Sequence, residues 1–311
     1  MTSVVVIGKN RLAVGCLEAV VHAGDDVVLA VADPSDDGGD GWQPSFLAAA
    51  RRLGLPTATP RDVNHGDFVS EVRELAPEFI LSFQAAQILK PPLIEASSRA
   101  TINLHFGPLP RYRGVAPIAW AIINGERSTG VTIHQIDPGI DSGDILASAD
   151  VAIAKDDTGR SLYDKCTEAG IVLFARSWSE LRSGQAIGHP QPASDALYYN
   201  RHSIDFTARR IDWSWDAERL ANWVRAFIFP PFQFPALVLG EAEYDVTSVE
   251  QDRAAHRGRP GQVLEVEGDR LLVGVPGGRL GLGPLMRGGL ALDASELAAR
   301  GFVRGVVLPQ G

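Results

Sequence analysis

The N-terminal part of the chain alternates short β-branched runs with segments of helical apolar spacing. Val4–Ile7 is an uninterrupted apolar run that predicts a strand buried on both faces, and Gly8 follows it as a turn residue. Leu12–His22 carries apolar residues at helical spacing, and Val27–Ala32 is a second β-branched run. Because strands that alternate with helices form parallel sheets covered by helices, the sequence predicts an α/β fold with a Rossmann-like, mostly parallel sheet.

The character of the sequence changes after residue 184. Residues 185–203 are rich in Gly, Pro, Ser, Asn and Tyr, which is typical of a linker. Beyond them, short strand-like segments separated by Gly-rich turns predict a small C-terminal β-barrel of OB-like type. These segments are Ala236–Val238, Gly261–Val266, Arg270–Val275 and Arg279–Leu282. We therefore expect an α/β domain in residues 1–184, a linker in 185–203 and an OB-like domain in 204–311.

The composition restricts the classes of protein to which the chain can belong. No apolar run approaches the ~18 residues needed to cross a bilayer, and no basic-then-apolar leader precedes the first strand, so we expect a cytoplasmic protein. The formal net charge of −9 disfavours a large nucleic-acid surface, since phosphates require clustered Lys and Arg.

Cys16 and Cys166 lack metal-binding spacing and are expected to be buried thiols, so no metal site is predicted. The residues after Gly8 lack the GxGxxG pattern, which argues against a dinucleotide site.

Two polar side chains with catalytic potential lie near the end of a predicted strand at Thr101–His105. Residues i and i+2 of a strand point to the same side, so Asn103 and His105 share one face while Leu104 points into apolar packing. The Gly- and Pro-rich stretch FGPLPRYRG follows, which places His105 at a strand end, where the active sites of parallel sheets gather. Taken alone, a His at a strand end is more often structural than catalytic.

A glycine-punctuated loop with several carboxylates lies farther along the chain. It is Gln135–Leu146, with the sequence QIDPGIDSGDIL, and it carries Asp137, Asp141 and Asp144. Asp-Pro and Asp-Ser-Gly sequences commonly form turns, so turn formation is the alternative to a chemical role for these carboxylates.

Together the two segments resemble a known signature. The stretch NLHFGPLPRYRGVAPIAWAIINGERSTGVTIHQIDPGIDSGDIL, residues 103–146, is similar to the pattern of the formyltransferases that use N10-formyltetrahydrofolate. That pattern contains Asn-x-His, a loop with Pro before Arg-Gly, an Ala-Pro pair, a GExxTGVTxH strand and an xDxGxI loop. Weaker similarity covers PRDVNHGDFVSEVRELAPEFILSF and, in the C-terminal part, RRIDWSWDAERLANWVRAF. The resemblance is closest to the amino-sugar N-formyltransferases, which share the two-domain architecture of methionyl-tRNA formyltransferase.

The resemblance implies roles for three residues. The family's catalytic Asn, His and Asp correspond to Asn103, His105 and Asp141. A His can take the proton of the attacking amine near neutral pH, and an amide N–H can stabilise the oxyanion of the tetrahedral intermediate. An Asp beside the His would stabilise the imidazolium. Neither a metal nor a covalent intermediate is required.

The resemblance also implies where the co-substrate and the acceptor bind. N10-formyltetrahydrofolate is expected to contact the segment after the FILSF strand and the Asp-containing loop, and Tyr112 and Arg113 are expected to face the acceptor. The predicted folate contacts are Phe83, Gln84, Ala85, Ala86, Ile88, Ile140 and Asp144. For Gln84–Leu89, the start of a helix is the alternative interpretation.

The identity of the acceptor amine is open at this point, with a nucleotide-linked amino sugar favoured. Residues 33–50 contain four Asp and neither Lys nor Arg, where the tRNA enzyme of the family has a basic insertion. Residues 205–311 contain 12 Arg, no Lys and 14 Asp or Glu, which disfavours tRNA as a partner. Hydroxyornithine, another natural-product amine, methionyl-tRNA and simple hydrolysis of formyltetrahydrofolate remain alternatives. Val115 replaces an Arg of the amino-arabinose enzyme, so the nucleotide is unassigned, and a homodimer is compatible with the resemblance.

Overall fold

The computed structural model describes residues 1–252, 254 and 258–310. The chain forms two compact units. The N-terminal unit comprises Met1–Pro117, Thr129–Ala152 and Asp164–Asn200, and the C-terminal unit comprises Ile118–Ser128, Ile153–Tyr163 and the chain from Arg201 onward.

Seventeen strands and eight α-helices are formed by the described residues. The strands are β1 (Ser3–Gly8), β2 (Asp26–Ala32), β3 (Thr57–Ala58), β4 (Phe79–Phe83), β5 (Ala100–His105), β6 (Arg113–Gly114), β7 (Ser128–Gln135), β8 (Ile145–Ala152), β9 (Tyr198–Tyr199), β10 (Ala236–Leu239), β11 (Ala242–Val246), β12 (Val249–Asp252), β13 (Val263–Glu267), β14 (Arg270–Val275), β15 (Gly278–Leu282), β16 (Leu285–Arg287) and β17 (Leu290–Ala291). The helices are α1 (Asn10–His22), α2 (Phe46–Arg52), α3 (Gly66–Glu74), α4 (Pro91–Ile94), α5 (Pro117–Ile123), α6 (Gly159–Ser183), α7 (Ala217–Phe227) and α8 (Ala294–Ala299). A short 3-10 helix covers Ala193–Asp195.

The N-terminal unit is built on a seven-stranded sheet in the order β3-β2-β1-β4-β5-β7-β8. The pairs β1–β2, β1–β4, β2–β3 and β4–β5 are parallel, so the predicted mostly parallel α/β sheet is confirmed. Burial explains the apolar runs, because Val4–Ile7 in β1 is almost completely shielded from solvent. At the end of β1, a Cβ on Gly8 would lie 2.5 Å from the Cβ of Ala13 in α1, so the close approach of helix and strand requires glycine there.

The neighbour of β5 on its other side is antiparallel. In the β5–β7 pair, Asn103 is directly opposite His134 and His105 is directly opposite Thr132. Directly opposed residues on one face of an antiparallel pair have Cβ atoms close enough for their side chains to interact. This register therefore brings polar side chains of two strands together at the end of β5.

The C-terminal unit contains two four-stranded antiparallel sheets, in the orders β10-β11-β16-β17 and β12-β15-β14-β13. The strands predicted at 236–238, 261–266, 270–275 and 279–282 correspond to β10, β13, β14 and β15, whereas β11, β12, β16 and β17 were not predicted. Closure of these sheets into an OB-like barrel stays a prediction. Asp216 caps α7 through the N–H groups of Glu218 and Arg219, and Asp293 and Glu296 form a capping box at α8.

Two sequence predictions about composition can be compared with the structure. Within residues 1–252, 254 and 258–310, no helix combines the length and hydropathy that a membrane crossing needs. Cys16 and Cys166 are both free and buried, as predicted, and burial raises the pKa of the Cys16 thiol.

Candidate active site

The candidate site is assembled at the carboxyl end of β5. Asn103 and His105 lie on one face of this strand, and the antiparallel register brings His134 of β7 opposite Asn103. Asp141 comes from the loop between β7 and β8. The structure thus brings together the three side chains predicted to be catalytic, and it adds His134 to them.

Both ring nitrogens of His105 have partners in the structure. Nε2 lies 2.8 Å from the carbonyl oxygen of Tyr112, and Nδ1 lies 3.4 Å from Oδ2 of Asp141. Because a carbonyl only accepts hydrogen bonds, Nε2 carries the proton in the neutral ring. Nδ1 is then the basic nitrogen, and a proton placed on it would face the carboxylate of Asp141.

Asp141 is held as a carboxylate by several groups. The backbone N–H of Gly114 donates to Oδ2 over 2.8 Å, and Oδ1 lies 3.5 Å from Nε2 of His134. Burial raises the pKa of Asp141, but the charge that His105 carries when protonated, the neighbouring His134 and the hydrogen bond from the N–H of Gly114 outweigh burial and lower the pKa to about 2. Asp141 is therefore ionised throughout the neutral range and can stabilise an imidazolium.

The pKa of His105 is lower than that of an ordinary exposed His. Burial is the largest influence and lowers its pKa below the usual value of 6.5. The charge of Asp141 and the hydrogen bond to Tyr112 raise this pKa, and the nearby His134 lowers it again. The ring is consequently neutral at pH 7, which is the state that a general base requires.

His134 orients the amide of Asn103. Its Nδ1 lies 2.8 Å from the carbonyl oxygen of Gln135, so Nδ1 donates a proton and Nε2 is left as an acceptor. Nε2 lies 3.1 Å from Nδ2 of Asn103, which uses one of the two amide N–H groups. The second N–H group is available for an oxyanion. The role of His134 was missed in the sequence, although Thr132 and His134 repeat the i, i+2 polar pattern of Asn103 and His105.

A cavity of about 380 Å3 opens beside these side chains. It is lined by Asn103, His105, His134 and Asp141, and also by Gln84, Ala85, Ile88 and Ile140 of the predicted folate contacts. A cavity of this size and mixed apolar and polar lining is typical of a small-molecule site. Gln87, which belongs to the segment predicted to contact folate, also lines it, whereas Ser82 and Val115 were not predicted.

Five other predicted contacts lie outside the lining of this cavity. Phe83 is fully buried, with its ring 4.9 Å from that of Phe174 in an edge-on contact, because β4 turns this side chain into the core. Ala86 lines a small neighbouring cleft, and Asp144 accepts the backbone N–H of Gln135 through its carbonyl oxygen. The side chains of Phe83, Ala86 and Asp144 therefore do not reach the catalytic cavity.

Tyr112 and Arg113, which were predicted to face the acceptor substrate, make contacts with other residues of the protein. Tyr112 is 1% exposed and stacks on Tyr199 with ring centroids 6.0 Å apart, and its carbonyl oxygen contacts Nε2 of His105. The guanidinium of Arg113 donates to Oε1 of Gln191 from Nε (3.0 Å) and from Nη2 (2.6 Å). Gln191 belongs to the segment predicted to be a linker, and nothing in its sequence context indicated a place near the site.

The donors in the site do not form a metal centre. Among the described residues of the chain, no group of three or more His, Cys, Asp or Glu side chains could hold a metal ion.

Two family models match the chain. The model described as formyl transferase matches residues 3–177, and the model described as formyl transferase, C-terminal domain, matches residues 203–301. Together they cover both units, and the first alone covers more than half of the chain and includes all four residues of the candidate site.

Curated relatives match over almost the whole length. The chain is 31% identical over 312 aligned positions to a methionyl-tRNA formyltransferase of Geobacter metallireducens, covering 99% of this chain and 97% of that protein. It is 32% identical to a methionyl-tRNA formyltransferase of Citrifermentans bemidjiense, covering 99% and 95% respectively.

Solved structures with the same fold include sugar N-formyltransferases. WlaRD, a sugar 3N-formyl transferase crystallised with dTDP and 5-N-formyl-THF, aligns with a TM-score of 0.74 and 25% identity over 91% of this chain and 97% of its own. The N-formyltransferase of Helicobacter canadensis, in complex with folinic acid and dTDP-3-aminofucose, aligns with a TM-score of 0.76 and 24% identity over 91% and 99%.

Proposed function

Because the chain belongs to the formyl transferase family, we propose that it transfers the formyl group of N10-formyltetrahydrofolate to the amino group of a small acceptor, a nucleotide-linked amino sugar. One observation carries the reaction type. Asn103 and His105 on β5 and Asp141 in the loop between β7 and β8 converge on one cavity of about 380 Å3.

Each side chain supplies one requirement of formyl transfer to an amine. His105 accepts the proton that the amine loses as its nitrogen attacks the formyl carbon, and Asp141 stabilises the resulting imidazolium from 3.4 Å. The free N–H of the Asn103 amide stabilises the oxyanion of the tetrahedral intermediate. When the bond between the formyl carbon and N10 breaks, the proton passes to N10, and tetrahydrofolate and the formamide are released.

The cavity has the chemistry that a folate ring needs. Ala85, Ile88 and Ile140 provide apolar contacts, and the side chain of Gln84 provides an amide donor and acceptor. Ile88 is 70% exposed and Ile140 is 36% exposed, and because both line the same cavity, their apolar surface supports a covering ligand at these positions. We therefore assign the co-substrate to this side of the cavity.

The acidic loop after β2 supports a small acceptor rather than tRNA. Asp36 accepts the Ser45 hydroxyl (2.6 Å) and the backbone N–H of Leu47 (3.0 Å), while Asp40 accepts the backbone N–H of Ser45 (2.8 Å). These bonds fix the carboxylates at the start of α2. Asp33, at the start of the loop, lines a cleft that shares Ala85 and Gln87 with the catalytic cavity, so the long phosphate backbone of a tRNA approaching here would meet negative charge.

Methionyl-tRNA is the second candidate acceptor. The observation that favours it is the full-length similarity to methionyl-tRNA formyltransferases, at 31% and 32% identity. The proposed reaction of His105, Asn103 and Asp141 would serve either acceptor, so the two candidates differ only in the amine that is formylated.

A panel of acceptors tests the proposal. Purified protein is incubated with N10-formyltetrahydrofolate and UDP- or dTDP-linked amino sugars, hydroxyornithine or methionyl-tRNA, and each acceptor is read by mass for the gain of one formyl group. We expect formylation of an amino sugar and release of tetrahydrofolate that depends on it. His105→Ala should abolish both, while His22→Ala, at an exposed position in α1, should leave them unchanged.

Other outcomes of the panel would contradict one part of the proposal. Release of formate without any acceptor would identify a hydrolase and overturn transfer. Formylation of methionyl-tRNA alone would retain the reaction and overturn the small acceptor. Full turnover by His105→Ala would overturn the assigned base.

A further inference from the structure

One side chain joins the segment after α6 to the loop that carries Asp141. Nε2 of Gln191 donates to the carbonyl oxygen of Asp141 (2.9 Å) and to that of Gly143 (2.6 Å). Its Oε1 accepts two hydrogen bonds from the guanidinium of Arg113. A single amide thus uses both its donor and its acceptor sides to connect three points of the chain.

Only a primary amide meets all of these demands. The two carbonyl oxygens require two N–H donors on one nitrogen, and the guanidinium requires an acceptor oxygen bonded to the same carbon as that nitrogen. A Glu at position 191 would retain the acceptor for Arg113, but it would place a carboxylate oxygen against two carbonyl oxygens. The geometry is therefore specific for Gln and not merely for a polar residue.

Backbone hydrogen bonds between β6 and β9 also connect the segment after α6 to the surroundings of Asp141. The N–H groups of Arg113 and Val115 donate to the carbonyl oxygens of Leu197 and Tyr199, each over 2.8 Å, which forms the parallel β6–β9 pair. Gly114, between them, is the residue whose N–H donates to the carboxylate of Asp141. Residues 191–199 consequently hold both the backbone and the side chain of Asp141 through direct contacts or through β6.

The backbone of Asp141 needs such support. Its φ of +49° lies in the left-handed region, which is unfavourable for a non-glycine residue because Cβ comes too close to the following carbonyl oxygen. A residue in this region keeps its conformation only when surrounding contacts require it. The hydrogen bond from Gln191 to the Asp141 carbonyl and the one from Gly114 to its carboxylate are two such contacts.

We propose that Gln191 is a positioning residue of the active site, which holds the loop at Asp141–Gly143 so that the Asp141 carboxylate stays against Nδ1 of His105. Residues 191–199 then help to maintain the geometry of the catalytic residues, in addition to connecting α6 to the C-terminal unit. The proposal rests on the proposed function for its kinetic consequences, but the geometry that it describes is independent of the acceptor.

Displacement of Asp141 would have an electrostatic signature at His105. The groups that face this ring are the carboxylate of Asp141, the imidazole of His134 and the carbonyl of Tyr112. Of the two titratable neighbours, Asp141 raises the pKa of His105 and His134 lowers it. If the carboxylate moves away, the pKa of His105 must fall further, because burial and His134 then act with less opposition.

The test compares Gln191→Ala and Gln191→Glu with Gln185→Ala, all in the full chain. Gln185 lies in the same segment, is exposed, and its side chain makes no hydrogen bond among the described residues. The readouts are the titration of the His105 ring by NMR, kcat and KM with the accepted amine, and the acid limb of kcat/KM.

For both Gln191 variants we expect the His105 pKa and the acid limb to move to lower pH together. We also expect kcat to fall roughly 10- to 100-fold, while KM for the folate changes much less. Gln185→Ala should match the wild-type protein in all three readouts. An activity loss without any shift of the His105 titration would reduce Gln191 to a structural residue and overturn the proposal, as would unchanged kinetics and titration.

Formyl transfer to an acceptor and the positioning role of Gln191 can be contradicted independently of each other. If no acceptor is formylated by the wild-type chain, the proposed function fails, and the His105 titration still decides whether Gln191 holds Asp141 in place. Thermal unfolding of each variant shows whether a loss reflects the site or the whole fold. A Gln191→Glu variant that retains wild-type stability but shows the shifted titration would separate the carbonyl contacts from the contact with Arg113.

Discussion

Oδ2 of Asp141 and Nδ1 of His105 lie 3.4 Å apart, and both side chains are largely withdrawn from solvent. The carboxylate is ionised well below neutral pH and the imidazole is neutral at pH 7, so the pair rests in the state from which His105 can accept a proton. Each partner favours the charged form of the other, which makes the proton affinity of His105 depend on where Asp141 is held.

The pH dependence of the reaction follows from this pair. The basic form of His105 is required, and its pKa lies below 6.5, so kcat/KM should stay constant from neutral pH to below 6.5 and fall as pH passes through that lowered pKa. Asp141→Asn removes the neighbour that raises the pKa, so its acid limb should lie at still lower pH. We expect kcat of this variant to fall by roughly 10² or more. A wild-type acid limb at or above pH 6.5 would be inconsistent with a buried neutral base.

Asn103→Ala should slow the chemical step without preventing binding. The free N–H of this amide is assigned to the oxyanion, and loss of one such donor typically lowers kcat by roughly 10²–10³, which corresponds to about 3–4 kcal/mol. Steady-state kinetics should show the loss in kcat with little change in KM for either substrate. Asn103→Asp tests the donor directly, since it preserves the shape of the side chain but cannot donate when ionised. An active Asp variant would contradict the assignment.

His134 should act through Asn103. His134→Leu removes the acceptor that orients the amide, and we expect kcat to fall roughly 10-fold because a misplaced donor binds the oxyanion poorly. His134→Gln can restore an acceptor and should recover part of the activity. In a double-mutant cycle, His134→Leu should have little further effect in the Asn103→Ala background. Additive losses would show that His134 acts independently of Asn103.

Stability should depend on a buried carboxylate far from the catalytic residues. Asp25 has a fully buried side chain that accepts Nε1–H of Trp178 (2.8 Å) and two hydrogen bonds from Nη1 of Arg182. We expect Asp25→Ala to lower the free energy of unfolding by about 3 kcal/mol, because Arg182 and the indole lose their acceptor. Urea unfolding measures this change, and Asp26→Ala, at the exposed neighbouring position, should have little effect.

The pKa of Asp25 predicts in which direction the free energy of unfolding changes with pH. Burial raises the pKa of Asp25, but hydrogen bonds from Thr2, Trp178 and Arg182 and the charge of Arg182 outweigh it, so the pKa is lower folded than unfolded. Its contribution is therefore complete above about pH 3.9 and is lost as pH falls through the lowered value. Urea unfolding of the wild-type chain should show stability decreasing below pH 4, and Asp25→Ala should reduce that decrease. An unchanged acid dependence in this variant would mean that Asp25 does not carry the effect.

Much of the fold could be predicted because its signals are local. Val4–Ile7 and Val27–Ala32 are continuous apolar runs whose burial on both faces follows from a parallel sheet, and α1 and α7 carry apolar residues at helical spacing. Short strands of mixed character gave no such signal. β11, for example, is AEYDV, in which only Tyr244 and Val246 are fully buried, so its place depends on pairing with β10 and β16.

In the candidate site, too, some features follow from local sequence and others depend on contacts between distant segments. The sequence by itself determined that Asn103 and His105 share a face at a strand end, because alternation of side chains is a property of any strand. Only the tertiary structure decided that His134 lies opposite Asn103, that Asp141 meets His105, and that Gln191 supports Asp141. Those relations depend on strand register and on loop conformations that are settled by contacts between distant segments, and a one-residue change of register would turn His134 to the other face.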